Sequence, residues 1–144
     1  MQIYVFNQQK DLSIKKPQIK QLVNQVIAFE GHDYGEVSVY FVPTNAICEL
    51  HQQYFNDPSS TDCISFPLED ESHQMLGDVF VCPATAIQYA KKKGLDPYHE
   101  LSLYIVHGLL HLMGYDDLNP KDKRKMRQAE KRHIENLASL DMLL

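Results

Sequence analysis

Apolar and polar positions alternate over Gln2–Phe6 and again over Glu36–Val42, the period of a strand with one face buried. Between them, Ile19, Leu22, Val23, Val26 and Ile27 recur at helical spacing. Pro17 suits the first turn of that helix, which runs to about Phe29, and Gly31 suits its end. Pro43 and Thr44 begin a shorter helix through Tyr54, with Ile47 and Leu50 inward. The stretch NDPSSTD, 56–62, is a loop of turn-forming residues. Cys63–Phe66 is a short apolar strand stopped by Pro67, Leu68–Gln74 an acidic loop and Leu76–Cys82 a further strand. A helix follows from Pro83 to about Lys93, ended by Gly94. Pro97 opens the next helix, and Asn119 with Pro120 provides the N-cap and first turn of a last one to about Leu137.

Strands and helices alternate early and helices dominate later. This predicts one mixed α/β (α+β) domain over 1–144, with a small mixed sheet of about four strands packed with about five helices. Strand order is not legible in such a pattern.

The helix after Pro97 departs from amphipathicity. Leu101, Leu103, Tyr104, Ile105, Val106, Leu109, Leu110, Leu112 and Met113 make it apolar nearly all round, which predicts a buried, central helix. Two histidines, His107 and His111, interrupt it. A separation of four residues is about 400° of turn and about 6 Å of rise, so both imidazoles share one face. Buried imidazoles need partners. They find them as separately hydrogen-bonded core residues, in a polar groove, or around a shared metal ion.

The residues that follow favour the metal. Gly114 stands where a helix C-terminal left-handed turn takes glycine, and the reversing chain can return Asp117 to the histidine pair. The spacing H-x-x-x-H-x-x-G-x-x-D is that of metzincin metalloproteases with two changes. Gly108 replaces the catalytic glutamate, and the third ligand is a carboxylate. Asp116 is the rival third ligand; the spacing selects Asp117. Two histidines and one carboxylate form an open, catalytic type of zinc site, since carboxylate oxygen is a legitimate ligand at about 2.0–2.2 Å. Zinc there would activate water or act as a Lewis acid on a phosphoryl or carbonyl oxygen. Without the glutamate base a protease is disfavoured. RNA cleavage stays open, because RNA carries its own 2′-hydroxyl nucleophile.

Composition narrows the class without changing it. The chain has 144 residues, 44% hydrophobic and 23% charged, and a net charge of −5 with a pI near 5.7. Nucleic-acid binders are more often basic. Two basic clusters nevertheless stand out, Lys91–Lys93 and the group Lys121, Lys123, Arg124, Lys125 and Arg127. Each reads as a solvated helix face, or as a phosphate-facing surface. The N-terminal stretch has neither a basic start nor a long apolar run, which predicts no signal peptide and no membrane association. Cys48, Cys63 and Cys82 are odd in number, widely spaced and lack a C-x-x-C pair, so the expectation is a reducing cytoplasm and no disulfide partner.

HGLLHLMGYDD, residues 107–117, closely resembles the H-G-x-L-H-L-x-G-Y-D-H signature of the YbeY family of bacterial endoribonucleases. TDCISFPLE (61–69) resembles that family's P-T-[DN]-V-L-S-F-P segment, and LGDVFVC (76–82) its L-G-D-[IV]-x-I-[CS] strand. The resemblance implies a single-strand-specific, metal-dependent endoribonuclease acting on ribosomal RNA, in 3′-end maturation of the small-subunit RNA and in ribosome quality control. It implies a zincin-like central metal helix and one Zn²⁺ per chain, on the residues matching His107, His111 and Asp117. Single-stranded RNA and the small ribosomal subunit are the implied partners.

Three departures from the family pattern matter. The family's third ligand is histidine, and here it is Asp117, whose charge weakens Lewis acidity. Phe55 stands where the family has an arginine that meets phosphate, and Ser60 where it has proline. Thr61, Asp62 and Ser65 are expected at the cleft or as turn residues. Asp78 is expected to orient a ligand histidine through a hydrogen bond, or to cap a turn. His32, His51, His73, His99 and His133 lack ligand spacing and are expected on the surface or on helix faces. No general base is assigned. A different zinc hydrolase, such as a peptidase or amidase, and a ribosome-associated RNA-binding module with a structural zinc are the alternative functions.

Overall fold

The computed structural model describes residues 1–33, 35–68 and 75–144. Except for Leu68, the acidic loop expected over Leu68–Gln74 lies outside the described residues. The described elements are β1 (Gln2–Asn7), α1 (Lys16–Phe29), β2 (Glu36–Phe41), α2 (Thr44–Phe55), β3 (Cys63–Pro67), β4 (Met75–Val81), α3 (Pro83–Lys93), α4 (Pro97–Leu112) and α5 (Pro120–Ser139). The mixed architecture follows the expectation, with boundaries moved by one or two residues.

The sheet order is β1-β2-β4-β3. β1, β2 and β4 are parallel, and β3 closes the edge antiparallel to β4. Alternation sorts the side chains to two faces. Val37, Val39, Phe41, Val79 and Val81 face the main core, where α1, α4 and α5 also contribute. Tyr40, Ile64, Phe66 and Phe80 face the other way, into a smaller cluster with Ile47 of α2.

Helix α4 is the centre of the packing. It touches α1, α3, α5, β3 and β4. Leu101, Ile105, Val106, Leu109 and Leu110 are fully buried, each contributing about 1.5–3 kcal/mol. Its ends are built from the chain's own chemistry. The Asp96 side chain accepts from the Tyr98 N–H at 2.9 Å and caps the start. At the other end the Gly114 N–H donates to the His111 carbonyl at 3.1 Å and the Tyr115 N–H to the Leu110 carbonyl at 3.0 Å. Gly114 sits at φ +101°, which glycine adopts without steric cost, so the helix stops and the chain reverses.

Gly108 explains how α4 lies so close to the sheet. A Cβ built on it would stand 2.5 Å from Val79 Cγ1 and 2.7 Å from Cys63 Sγ. The absence of a side chain here is therefore a packing requirement of the helix–sheet contact.

Among the described residues, no helix is long and apolar enough to cross a membrane. Cys48, Cys63 and Cys82 are free thiols.

Candidate metal centre

His107 and His111 emerge from the last two turns of α4, and the reversal after Gly114 returns Asp117 to them. Their Nε2 atoms are 3.1 Å apart. Asp117 Oδ2 lies 3.9 Å from His107 Nε2 and 3.6 Å from His111 Nε2. A tetrahedral ion with bonds of about 2.0–2.2 Å spaces its ligand atoms by about 3.3–3.6 Å, and the three separations bracket that range. Among the described residues this is the group of three whose ligand atoms converge to hold a metal ion. Asp116 is exposed, and its Oδ1 accepts from the Asp117 N–H at 2.7 Å. Asp116 thus holds the turn while Asp117 reaches the histidines.

The outward nitrogens show why a cation fits. His107 Nδ1 is 3.3 Å from Glu130 Oε1, and His111 Nδ1 is 3.1 Å from the Tyr115 carbonyl. An ionised carboxylate and a carbonyl only accept, so each Nδ1 carries the ring's proton. In neutral rings both Nε2 atoms then present lone pairs to one another at 3.1 Å. With Asp117 this brings three electron-donor atoms together, a set that could hold a metal ion.

Glu130 is held for this task. It is nearly buried, and Arg127 Nη1 donates to its two oxygens at 2.7 and 3.0 Å. Burial pushes its pKa up, but the hydrogen bond from His107 and the Arg127 guanidinium outweigh that and hold it below the usual range. The Tyr115 carbonyl is anchored through its own side chain, whose hydroxyl donates to Glu30 Oε2 at 3.1 Å. Glu30 Oε1 takes His133 Nε2 at 2.7 Å and lies 3.5 Å from Arg132 Nη2.

That network sets an acid limit on stability. Burial raises the Glu30 pKa, but its bonds to His133 and Tyr115 and the neighbouring positive charges bring it net below its ordinary value. A depressed carboxylate stabilises the fold fully above its unfolded pKa and loses that contribution as pH falls through the folded pKa. Glu30→Gln is expected to melt earlier than wild type near neutrality, with the gap closing below about pH 4. Thermal melts of both proteins from about pH 7 to pH 3 would check it, and a gap independent of pH would refute it.

A cleft of about 610 Å³ opens over the histidines. Thr61, Asp62 and Ser65 line it, as do His51 and Phe55 from α2. Ser65 lies on the sheet face that meets α4, and its Oγ donates to the Gly108 carbonyl at 2.9 Å. Cys63 also lines the cleft, but burial and then the Asp62 charge push its thiol pKa up, so it stays protonated.

Asp78 is a correction. It is paired with Ser38 and Phe66 on the sheet face turned away from α4, while its neighbour Val79 faces the helix. The two-residue period therefore removes it from the ligand histidines, and the orienting carboxylate is Glu130. His133 lies on a helix face, the core face of α5, and is fully buried there rather than on the surface. Met126, Ala129, Glu130, His133 and Leu137 form one buried helical stripe. An acid and an imidazole at core spacing were the available signal for both residues. His51 lies on a face of α2, as expected, and that face lines the cleft. His32 and His99 are exposed, and His73 lies outside the described residues.

The basic clusters divide. Lys91, Lys92 and Lys93 are exposed in the last turn of α3, where they oppose the helix dipole, and none of them lines the cleft. On α5, Lys125 lines a smaller cavity that shares Gly114, Tyr115 and Asp116 with the cleft. Lys123, Arg124 and Arg127 line a groove beyond it.

Residues 4–138 match the family model described as Endoribonuclease YbeY. An endoribonuclease YbeY of Protochlamydia amoebophila is 49% identical over 96% of this chain and 94% of its own length. One from Chlamydia trachomatis serovar D is 36% identical over 99% of this chain and 92% of its own. The solution structure of a Thermotoga maritima protein superposes with a TM-score of 0.66 at 27% identity, covering 93% of this chain and 87% of that one.

Proposed function

The chain belongs to the Endoribonuclease YbeY family, and from that premise we propose that it is a zinc-dependent, single-strand-specific endoribonuclease of ribosomal RNA maturation. Its setting is the cytoplasm, its substrate the 3′ region of small-subunit RNA, and its second role ribosome quality control. One domain spanning 1–144 carries the whole activity. The observation that supports this most is the pair of Nε2 lone pairs 3.1 Å apart with Asp117 beside them, at the floor of an open cleft.

His107, His111 and Asp117 would hold the ion. When bound, zinc supplies Lewis acidity towards a phosphoryl oxygen or water. Glu130 and the Tyr115 carbonyl fix the ring orientations, so that neither histidine must reorganise when substrate arrives. Ser65 ties the cleft wall to the helix. Asp62, Asp116 and Asp117 make the cleft acidic on its own. An RNA phosphate is therefore repelled from the metal-free site, while the cations of α5 beside the cleft draw the flanking strand.

Position 108 argues against a peptidase. A general-base glutamate there would begin inside Val79 and Cys63. Among the described residues the donor group has three members, which leaves coordination capacity for a substrate, unlike a closed structural site of four protein ligands.

The test is incubation of zinc-loaded protein with single-stranded RNA, the same RNA in a duplex, and an unfolded polypeptide. Cleavage of the single strand alone, abolished by chelator and restored by zinc, is the expected result. Chelator-insensitive RNA cleavage, or cleavage of the polypeptide instead, would overturn the reading.

A further inference from the structure

One part of the cleft lining is the C-terminal half of α2. His51 and Phe55 are four residues apart, so they share one face of that helix, and both open into the cleft. Phe55 is 58% exposed, unusually open for a phenylalanine. Its ring centroid lies 5.6 Å from that of His51, tilted by 57°. The preceding Tyr54 is turned away, edge-on to Phe66 at 4.7 Å. Phe55 thus offers an aromatic face to the cavity that holds the metal group.

His51 is oriented rather than loose. Its Nδ1 is 2.8 Å from the Ser59 carbonyl. A carbonyl only accepts, so Nδ1 carries a proton; Nε2 lies 3.9 Å from Asp57 Oδ2 and is an acceptor whenever the ring holds one proton. An acceptor lone pair in a cleft lined by Asp62, Asp116 and Asp117 suits a hydroxyl donor and repels a phosphate oxygen. A flat apolar face beside an acceptor matches one unpaired ribonucleotide, with a base to stack and a 2′-hydroxyl to donate.

We propose that His51 and Phe55 form a nucleotide subsite, in which Phe55 stacks one unpaired base of the RNA and His51 Nε2 accepts from the 2′-hydroxyl of that nucleotide. This rests on the RNA reading above and adds to it. The subsite favours single strands because a base in a duplex is already stacked on both faces. It also distinguishes RNA from DNA without contacting the metal.

The test uses the zinc-loaded full chain and short single-stranded oligoribonucleotides carrying one 2-aminopurine, moved along the sequence. Stacking on Phe55 quenches that fluorophore at one position. Quenching is expected in wild type and in Phe55→Trp, and is expected to be lost in Phe55→Ala, with affinity about 10-fold weaker. Replacing the same nucleotide by an abasic residue is expected to weaken wild type by a similar factor and to leave Phe55→Ala unchanged. Removing its 2′-hydroxyl is expected to weaken wild type about 3- to 10-fold and to leave His51→Ala unchanged. Equal quenching in wild type and Phe55→Ala, or abasic and deoxy penalties that persist in the variants, would overturn the subsite. If the oligomers bind with this pattern but none is cleaved, the nuclease reading fails and the subsite stands.

Discussion

His111→Ala is expected to leave the protein folded, to reduce its bound metal from one ion per chain to a trace, and to lower RNA cleavage at least about 10³-fold, equivalent to about 4 kcal/mol. His111 supplies one of the three donors, and its Nε2 is the closest neighbour of His107 Nε2 at 3.1 Å. Removing it leaves one imidazole and one carboxylate separated by 3.9 Å, too few donors to retain an ion against water. The fold survives because the His111 side chain is 27% exposed at the cleft and its outer partner is a backbone carbonyl in a turn already fixed by Gly114. Asp117→Ala is expected to be milder, since two oriented imidazoles remain. Metal analysis after dialysis, circular dichroism and cleavage rates on the three proteins would check this order. Full metal content and full activity in His111→Ala would show that the ion, if bound, sits elsewhere.

The second large effect concerns the residue between the two histidines' turns. Gly108→Ala adds a single methyl, yet its Cβ would lie 2.5 Å from Val79 Cγ1, 2.7 Å from Cys63 Sγ and 3.2 Å from Ser65 Oγ. Valine has no flexible end to swing away, and β3 and β4 are held by their ladder. The helix must therefore lift from the sheet, at about 1–3 kcal/mol. The lift also stretches the Ser65 Oγ bond to the Gly108 carbonyl and tilts the turn that carries His107 and His111. The expected result is a melting temperature lower by several degrees together with weaker metal affinity. Thermal melts with and without added zinc would measure both. An alanine variant as stable as wild type would mean that the helix–sheet contact is looser than these distances require.

Much of this was legible in the chain. Prolines and glycines at the ends of periodic stretches marked the helices because their effects are local: a fixed φ, a missing N–H, a tolerated left-handed turn. The H-x-x-x-H pair with Gly114 and Asp117 was legible for the same reason, since helix pitch and one reversal place all three side chains. Asp78 misled because it lies beside a glycine in a strand that resembles the family pattern, and sequence order does not say which face of a strand meets a helix. Sheet order and packing put Val79 towards α4 and Asp78 away from it.

Glu130, Glu30 and His133 show the other limit. Glu130 is 23 residues from His107, and His133 is 103 from Glu30. Only the docking of α5 against α4 and α1 makes them partners. By itself the sequence determined the elements, the buried helix with its two histidines and the three residues that could hold a metal ion, all of which follow from short-range geometry along the chain. The tertiary structure alone decided which carboxylate orients His107, why residue 108 has no side chain, and that His51 and Phe55 line the same cleft as His107, His111 and Asp117. Each of these depends on distances between segments remote in sequence, which packing sets and local periodicity does not encode.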